Sequence, residues 1–253
     1  ATDLRPKLFR KQVATAYLRR TQEDVLTELP ELIETDEWIS MSPSDRTKYR
    51  AAVLEGNFAA LRQAAMVAMQ ASAKFERLLE IVEEAQANGR RVLVFSQFLN
   101  VLDAVVDALG DRAVGPLKGS VPALKRQQMV DHFSTSASGS VLVAQITAGG
   151  IGLNIQAASV VIICEPQLKP TSEWQAIARS RRMGQLETVQ VHRLLSDEGV
   201  DVRITELLAR KREIFAEFAA RSELAEQAPE AFDISEAELV KEVLQAERRR
   251  LFE

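Results

Sequence analysis

The sequence holds one cysteine, two histidines and two tryptophans among its 253 residues. A lone cysteine excludes an internal disulfide framework and fits a reducing compartment. Cys164 sits inside the apolar run Val160-Val161-Ile162-Ile163-Cys164 and reads as a small buried hydrophobe. His132 and His192 stand apart from any Cys/His cluster or candidate nucleophile. Both read as structural, and no metal site is expected in this chain. The apolar runs are far too short to cross a bilayer, so no membrane partner is expected. The opening Ala-Thr-Asp-Leu-Arg carries no secretory leader pattern. No Gly-x-x-x-x-Gly-Lys-Ser/Thr run occurs anywhere, which excludes a P-loop within this sequence. There is no internal repeat and no low-complexity block.

What remains is the composition of an ordinary globular chain, 46% hydrophobic and 27% charged. Its length suits one large domain, or one domain with a helical appendage. The net charge is −4, but it is unevenly spread. Ser222 to Glu247 holds eight acidic side chains against one lysine, while Lys169 to Arg193 holds five basic groups against two acidic. An acidic tail is therefore separable from a mildly basic body. By default that tail reads as a solvated pair of helices.

Three zones are expected. Residues 1–71 read as mostly helical. Leu18, Val25, Leu26 and Leu29 recur at helical spacing until Pro30, and a second helical stretch follows Ser42-Pro43-Ser44. Residues 72–200 alternate helices with apolar strands, at Arg91 to Phe95, near Ala113-Val114, at Ser140 to Ala144, Val160 to Cys164 and Val189 to Leu194. Continuous apolar strands separated by helices indicate an α/β fold, a doubly wound parallel sheet covered on both faces. Ligands of such folds bind at the carboxyl ends of the strands. Residues 201–253 open with Asp201 as the expected N-cap and continue as amphipathic helix through Phe218, then a second helix after Ser235.

Three segments carry candidate chemistry. After Pro170, Ser172 and Gln175 have capping-box spacing, and Gly184 is the expected helix stop. On one helix, Gln175, Arg179 and Arg182 share a face, while Trp174, Ile177 and Ala178 face the sheet. Arg179, Arg181 and Arg182 crowd together with no acidic residue four positions earlier. Each like-charged pair costs a few tenths of a kcal/mol. The residues leave two readings open, a solvated basic face or a site for an anion. The second segment is Thr147-Ala148-Gly149-Gly150-Ile151-Gly152-Leu153-Asn154. Such a turn lets backbone N–H groups approach a phosphate, but it serves equally as a tight strand-to-helix turn. It is not a dinucleotide fingerprint, because Ile155 stands where the third glycine belongs. The third is Phe95-Ser96-Gln97-Phe98, small polar groups at a strand's carboxyl end.

In order and spacing these segments resemble the Swi/Snf-type helicase-like family. Arg90 to Phe98 resembles helicase motif IV, Thr147 to Asn154 motif V, and Gln175 to Gln185 motif VI. Tyr17 to Val25 with Leu29-Pro30 is similar to the segment between that family's lobes. Ser72-Ala73-Lys74 resembles the start of its second lobe, and Arg203 to Phe218 its brace helix. The resemblance covers roughly residues 9 to 220. Ala178 and Arg181 depart from the usual glycine and histidine of motif VI, and Gln145 from a common serine before motif V. Glu165-Pro166-Gln167-Leu168-Lys169-Pro170 replaces a segment that usually holds Trp-Asn-Pro.

The resemblance implies a RecA-like C-terminal lobe with a helical N-terminal segment and C-terminal brace helices. Its parent would be an ATP-driven translocase on double-stranded DNA, with ATP and Mg2+ bound mainly by an N-terminal RecA-like lobe. Arg179 and Arg182 resemble arginine fingers, and Gln175, Gly152 and Asn154 the ATP side of the cleft. Ser96, Gln97, Lys118, Gly119, Thr147, Gly149 and Gly150 resemble the grip on the DNA backbone. This chain alone is then expected to be inactive and monomeric. Its expected place is the cytoplasm, on a bacterial nucleoid, or the nucleus if the source is eukaryotic. Two rivals stay open, the second lobe of an RNA helicase and a non-catalytic α/β protein-docking module.

Overall fold

Strand β2, Val92–Ser96, has every residue buried and forms the middle of the sheet. The computed structural model describes residues 29–67, 71–147, 153–182, 184–219 and 236–253. Around β2 stand β1 (Leu32–Ile39), β3 (Ala113–Leu117), β4 (Val141–Gln145), β5 (Val160–Ile163) and β6 (Val189–Ser196). Their order is β1-β6-β5-β2-β4-β3, and every pairing is parallel. The crossover helices are α1 (Pro43–Glu55), α2 (Phe58–Gln63), α3 (Ala73–Ala87), α4 (Leu99–Leu109), α5 (Ala123–Thr135) and α6 (Pro170–Ile177). Helices α7 (Val200–Ala219) and α8 (Glu236–Phe252) follow the last strand.

Alternation along the strands divides the core in two, because successive side chains point to opposite faces. Val92, Val94, Val141, Val143, Val160, Ile162 and Cys164 meet α3 and α4 on one face. Leu93, Phe95, Leu142, Ala144, Val161 and Ile163 meet α5 and α6 on the other. Each such fully buried side chain contributes about 1.5–3 kcal/mol by leaving water. Cys164 is buried among them, as expected. A third core joins α1, α2, α7 and α8 through Tyr49, Val53, Leu61, Leu168, Ile204 and Val243.

The segment expected to be helical before residue 72 contains strand β1, which lies parallel beside β6 from Leu32↔Val189 to Ile39↔Ser196. Its charged residues are matched by charged partners on β6 and α3 rather than by apolar neighbours. Glu34 and Asp36 pair with Arg193, and Glu37 pairs with His192 and Arg77. The second helical stretch is present as α1. Ser42 caps it in a full capping box with Asp45, and Gly56 ends it in the left-handed conformation that glycine tolerates best. Asp201 lies in the first turn of α7 rather than at its cap, and its carboxylate accepts from Ser196 N at 2.8 Å. The Leu18 to Leu29 stretch lies almost wholly outside the described residues.

Chain direction sets the site. From β2 the connection through α4 runs toward β3, whereas from β5 the connection through α6 runs toward β6 and the opposite edge. The crevice between the carboxyl ends of β2 and β5 is therefore the topological switch point, where ligands of such sheets bind. No helix among the described residues is long and apolar enough to cross a membrane.

Candidate functional site at the carboxyl edge

The carboxyl ends of β2, β3, β4 and β5 bring together four short loops. Ser96 closes β2 and is fully buried. Its hydroxyl donates to Glu165 Oε2 at 2.8 Å and accepts from Phe98 N at 3.0 Å. It therefore supports the turn from within instead of facing out, contrary to its expected place on a DNA-facing surface. Gln97 is half-buried beside it. Gln97 N donates to Glu165 Oε1 at 2.7 Å, and its side-chain oxygen accepts from Arg62 Nη1 at 3.3 Å. Lys118 is half-buried and salt-bridged to Asp103 at 2.9 Å, so it is not a free cation. Gly119 and Thr147 are exposed on the same edge. Gly149, Gly150 and Gly152 lie outside the described residues, and Asn154 just beyond them is exposed.

The arginine segment differs from the helix drawn from its spacing. Helix α6 ends at Ile177, not at Gly184. Its N-cap is Lys169, which makes no side-chain cap bond, so the Ser172–Gln175 capping box is not formed. Beyond Ile177 three-residue turns break into the helical pattern, Arg179 N to Ala176 O at 3.2 Å and Ser180 N to Ile177 O at 3.0 Å, although Arg181 N still reaches Ile177 O at 3.1 Å. The carbonyl of Arg179 instead accepts from Ile155 N at 3.1 Å. The chain after the glycine turn is thus fastened directly to the arginine segment. Because the helix stops, Gln175, Arg179 and Arg182 do not share one helix face. Gln175 and Arg182 are exposed and Arg179 is buried. Ile177 packs into the sheet-side core as expected, whereas Trp174 and Ala178 remain exposed.

Arg179 is the electrostatic anomaly. It is only 7% exposed, and its guanidinium carbon lies 6.0 Å from the centroid of the Phe95 ring. Burial pushes its pKa down, and neighbouring Arg182 pushes the same way. Among the described residues no carboxylate forms an ion pair with it. By contrast, Arg193 is held between Glu34, Asp36 and Glu173, and Arg181 donates to Pro30 O at 3.0 Å. A desolvated cation whose neighbours among the described residues include a ring and another cation but no carboxylate favours an incoming anion.

Two participants were not singled out from the sequence. Glu165 is a buried carboxylate immediately after the apolar run of β5. Burial raises its pKa, against the opposing pull of the Gln97 N–H, Arg62, Gln167 and Ser96. Arg62 on α2 is buried too, 5.2 Å from the Phe98 ring centroid. A charged residue directly after a buried strand was a readable sign for Glu165. Arg62 had none, since its partner Pro166 is 104 positions away. Among the described residues no group of three or more His, Cys, Asp or Glu is placed to hold a metal ion.

The helicase conserved C-terminal domain family matches residues 73–184. An uncharacterized ATP-dependent helicase of Mycoplasma pneumoniae is 29% identical over 238 residues, covering 84% of this chain. This chain spans 23% of that relative's length. Among solved structures, the C-terminal part of the Fun30 ATPase domain superposes with a TM-score of 0.69 at 17% identity, over 88% of this chain and all of that one. The Sulfolobus solfataricus SWI2/SNF2 ATPase core domain gives 0.65 at 25% identity, over 96% of this chain and 55% of that one. The same core in complex with dsDNA gives 0.62 at 24% identity, over 94% and 56%. The all-parallel sheet, the matched domain and these neighbours agree: the chain carries a helicase conserved C-terminal domain at residues 73–184 and has the RecA-like fold of the C-terminal lobe of SWI2/SNF2 ATPases.

Proposed function

We propose that this lobe is one half of an ATP-dependent motor that translocates on double-stranded DNA, and that it supplies Arg179 and Arg182 to ATP held by a separate P-loop lobe. The observation that carries the reading is Arg179, a buried guanidinium with no acidic partner among the described residues. A phosphate entering beside it would regain the hydrogen bonds and charge balance that burial removes. Guanidinium groups do this in forked, charge-assisted pairs. Arg182 stands exposed three residues on, its Nε donating to Ala178 O at 3.4 Å, and would have to give up that bond to reach the same anion.

The chemistry follows from what is present and absent. The sequence has no P-loop, so it lacks the lysine and amide cradle that orient the transferred phosphoryl group. Its contribution is then stabilisation of transition-state charge, typically worth about 10³–10⁵ in rate for an arginine of this kind. The described residues offer no magnesium site, and the ion accompanying ATP is expected on the other lobe. Gln175 is exposed near the end of α6 and would face the ATP side of the closed motor.

On the DNA side, Gln97, Gly119 and Thr147 would offer contacts from the carboxyl edge. Contacts of this type fix position on the phosphate backbone without reading sequence. Binding is expected to be sequence-independent and to weaken steeply with salt. The Sulfolobus core that superposes on this chain was solved with dsDNA. Closing of the lobes on ATP would bring the arginines to the phosphate. Because Ile155 is fastened to Arg179, closure would shift the chain at Ile155 at the same time.

The test is ATPase activity with duplex DNA, first of this chain alone and then mixed with the P-loop lobe. Silence alone and activity on mixing are expected. In the full-length protein, Arg179→Ala is expected to lower the DNA-stimulated rate about 10³-fold. Activity of the isolated chain, or an unchanged rate in R179A, would sink the reading.

A further inference from the structure

One hydrogen-bonded seam ties the four loops of the carboxyl edge together, in the order β5, β2, β4, β3 in which their strands lie in the sheet. It starts at Glu165. Glu165 Oε2 accepts from Ser96 Oγ at 2.8 Å, and Oε1 accepts from Gln97 N at 2.7 Å and from Gln167 Nε2 at 3.0 Å. Arg62 braces the same two loops from outside, donating to Gln97 Oε1 at 3.3 Å and to Pro166 O at 2.9 Å. From Gln97 the seam continues through its carbonyl, which accepts from Gln145 Nε2 at 3.4 Å. Gln145 Oε1 then accepts from Gly119 N at 3.4 Å.

Glu165 is the one acidic group among these residues, and it is 1% exposed. An ionised carboxylate is acceptor-only, with room for several donors on two oxygens. Three donors from two loops converge on it here, so a single side chain sets the separation of those loops. One loop is the Ser96-Gln97 turn. The other, residues 166–169, runs into α6 and on to Arg179. Apolar packing alone would leave the Ser96 O–H and the Gln97 N–H without acceptors, at a cost that buried donors rarely bear.

We propose that Glu165 is a positioning residue, which holds the Ser96-Gln97 turn at the setting in which Gln97 meets DNA and locks that turn to the loop leading to the arginine segment. The proposal rests on the DNA-binding reading of this edge given above. It assigns Glu165 no contact with DNA or ATP; its effect passes through Gln97.

The experiment is a double-mutant cycle on duplex-DNA affinity in the full-length protein, with Glu165→Gln, Gln97→Ala and the double variant. Gln keeps the size and one oxygen of Glu165 but turns a donor toward Ser96. Each single change is expected to weaken duplex binding about fivefold, the scale of a disturbed buried hydrogen bond. The double variant is expected within about twofold of Gln97→Ala alone, because residues acting through one another are not additive. Full additivity would mean that Glu165 serves the fold at large, and it would overturn the proposal. So would unchanged affinity in either single variant. Absence of duplex binding in the wild type would instead remove the translocase reading itself. If Glu165→Gln does not fold, the same cycle is run with Glu165→Asp, which keeps the charge on a side chain one methylene shorter, and is read in the same way.

Discussion

Lys74 and Asp201 form an ion pair almost wholly out of water, with side chains 1% and 3% exposed. The pair joins the first turn of α3 to the first turn of α7, and so couples the sheet's covering layer to the helices that follow the last strand. The same Asp201 oxygen accepts from Ser196 N at 2.8 Å, fixing the end of β6. Removing one partner leaves an uncompensated buried charge. Lys74→Met is therefore expected to lower unfolding stability by about 3–5 kcal/mol in urea titration. Replacing both, as Lys74→Met with Asp201→Asn, is expected to recover part of that loss. Simple addition of the two single losses would mean that the charges do not compensate each other.

The strands that were legible are those buried on both faces. Val92 to Phe95, Val141 to Ala144 and Val160 to Ile163 show as unbroken apolar runs because helices cover them above and below. Strand β1 was not legible, because it is an edge. Ile33 and Trp38 are half-exposed, and Glu34, Asp36 and Glu37 find partners on β6 and α3 that no local pattern reveals. The arginine segment failed differently. Its spacing is helical, but after Ile177 the Arg179 carbonyl bonds to Ile155, a long-range competitor invisible to periodicity. At the carboxyl edge, the order of the motifs pointed to Ser96, Gln97 and the arginines but not to the partners they find there. The hydroxyl of Ser96 points inward only because a carboxylate from β5 lies there to receive it.

Stability should depend on pH through Glu37. Burial draws its pKa up, but hydrogen bonds from His192 and Arg77 and their charges outweigh that and hold it below the usual glutamate range. A lowered folded pKa contributes stability that is complete above the unfolded value, about 4.3. That contribution is lost as pH falls through the folded value. Glu198 acts in the same direction, its burial outweighed by Arg46 and Arg250. Glu165 has the opposite sign, since its raised pKa works against folding only as pH rises. The comparison therefore belongs on the acid side. The urea midpoint is expected to fall less steeply from about pH 5 to about pH 3 in Glu37→Gln than in the wild type. Parallel slopes would mean that Glu37 gains nothing from His192 and Arg77.

The described part of the acidic tail is not simply a solvated helix. In α8, Val243 is 1% exposed and joins the third core with Leu244 and Leu251. Arg248 donates to Val53 O at 3.4 Å and Leu54 O at 3.3 Å, the last carbonyls of α1, which a helix leaves without internal partners. Glu247 is fully buried and bonded to Arg250. The helix thus closes the module that carries Arg62. Val243→Ala is expected to cost about 1–3 kcal/mol in urea unfolding, the range for a buried aliphatic side chain shortened in place. Arg248→Ala is expected to cost about 0.5–1.5 kcal/mol through the lost carbonyl contacts. Lys241→Ala, at an exposed position on the same helix, is expected within about 0.5 kcal/mol of wild type. If V243A unfolded with the exposed control, α8 would contribute nothing to the fold, and the acidic helix would be free to leave α1 for another partner.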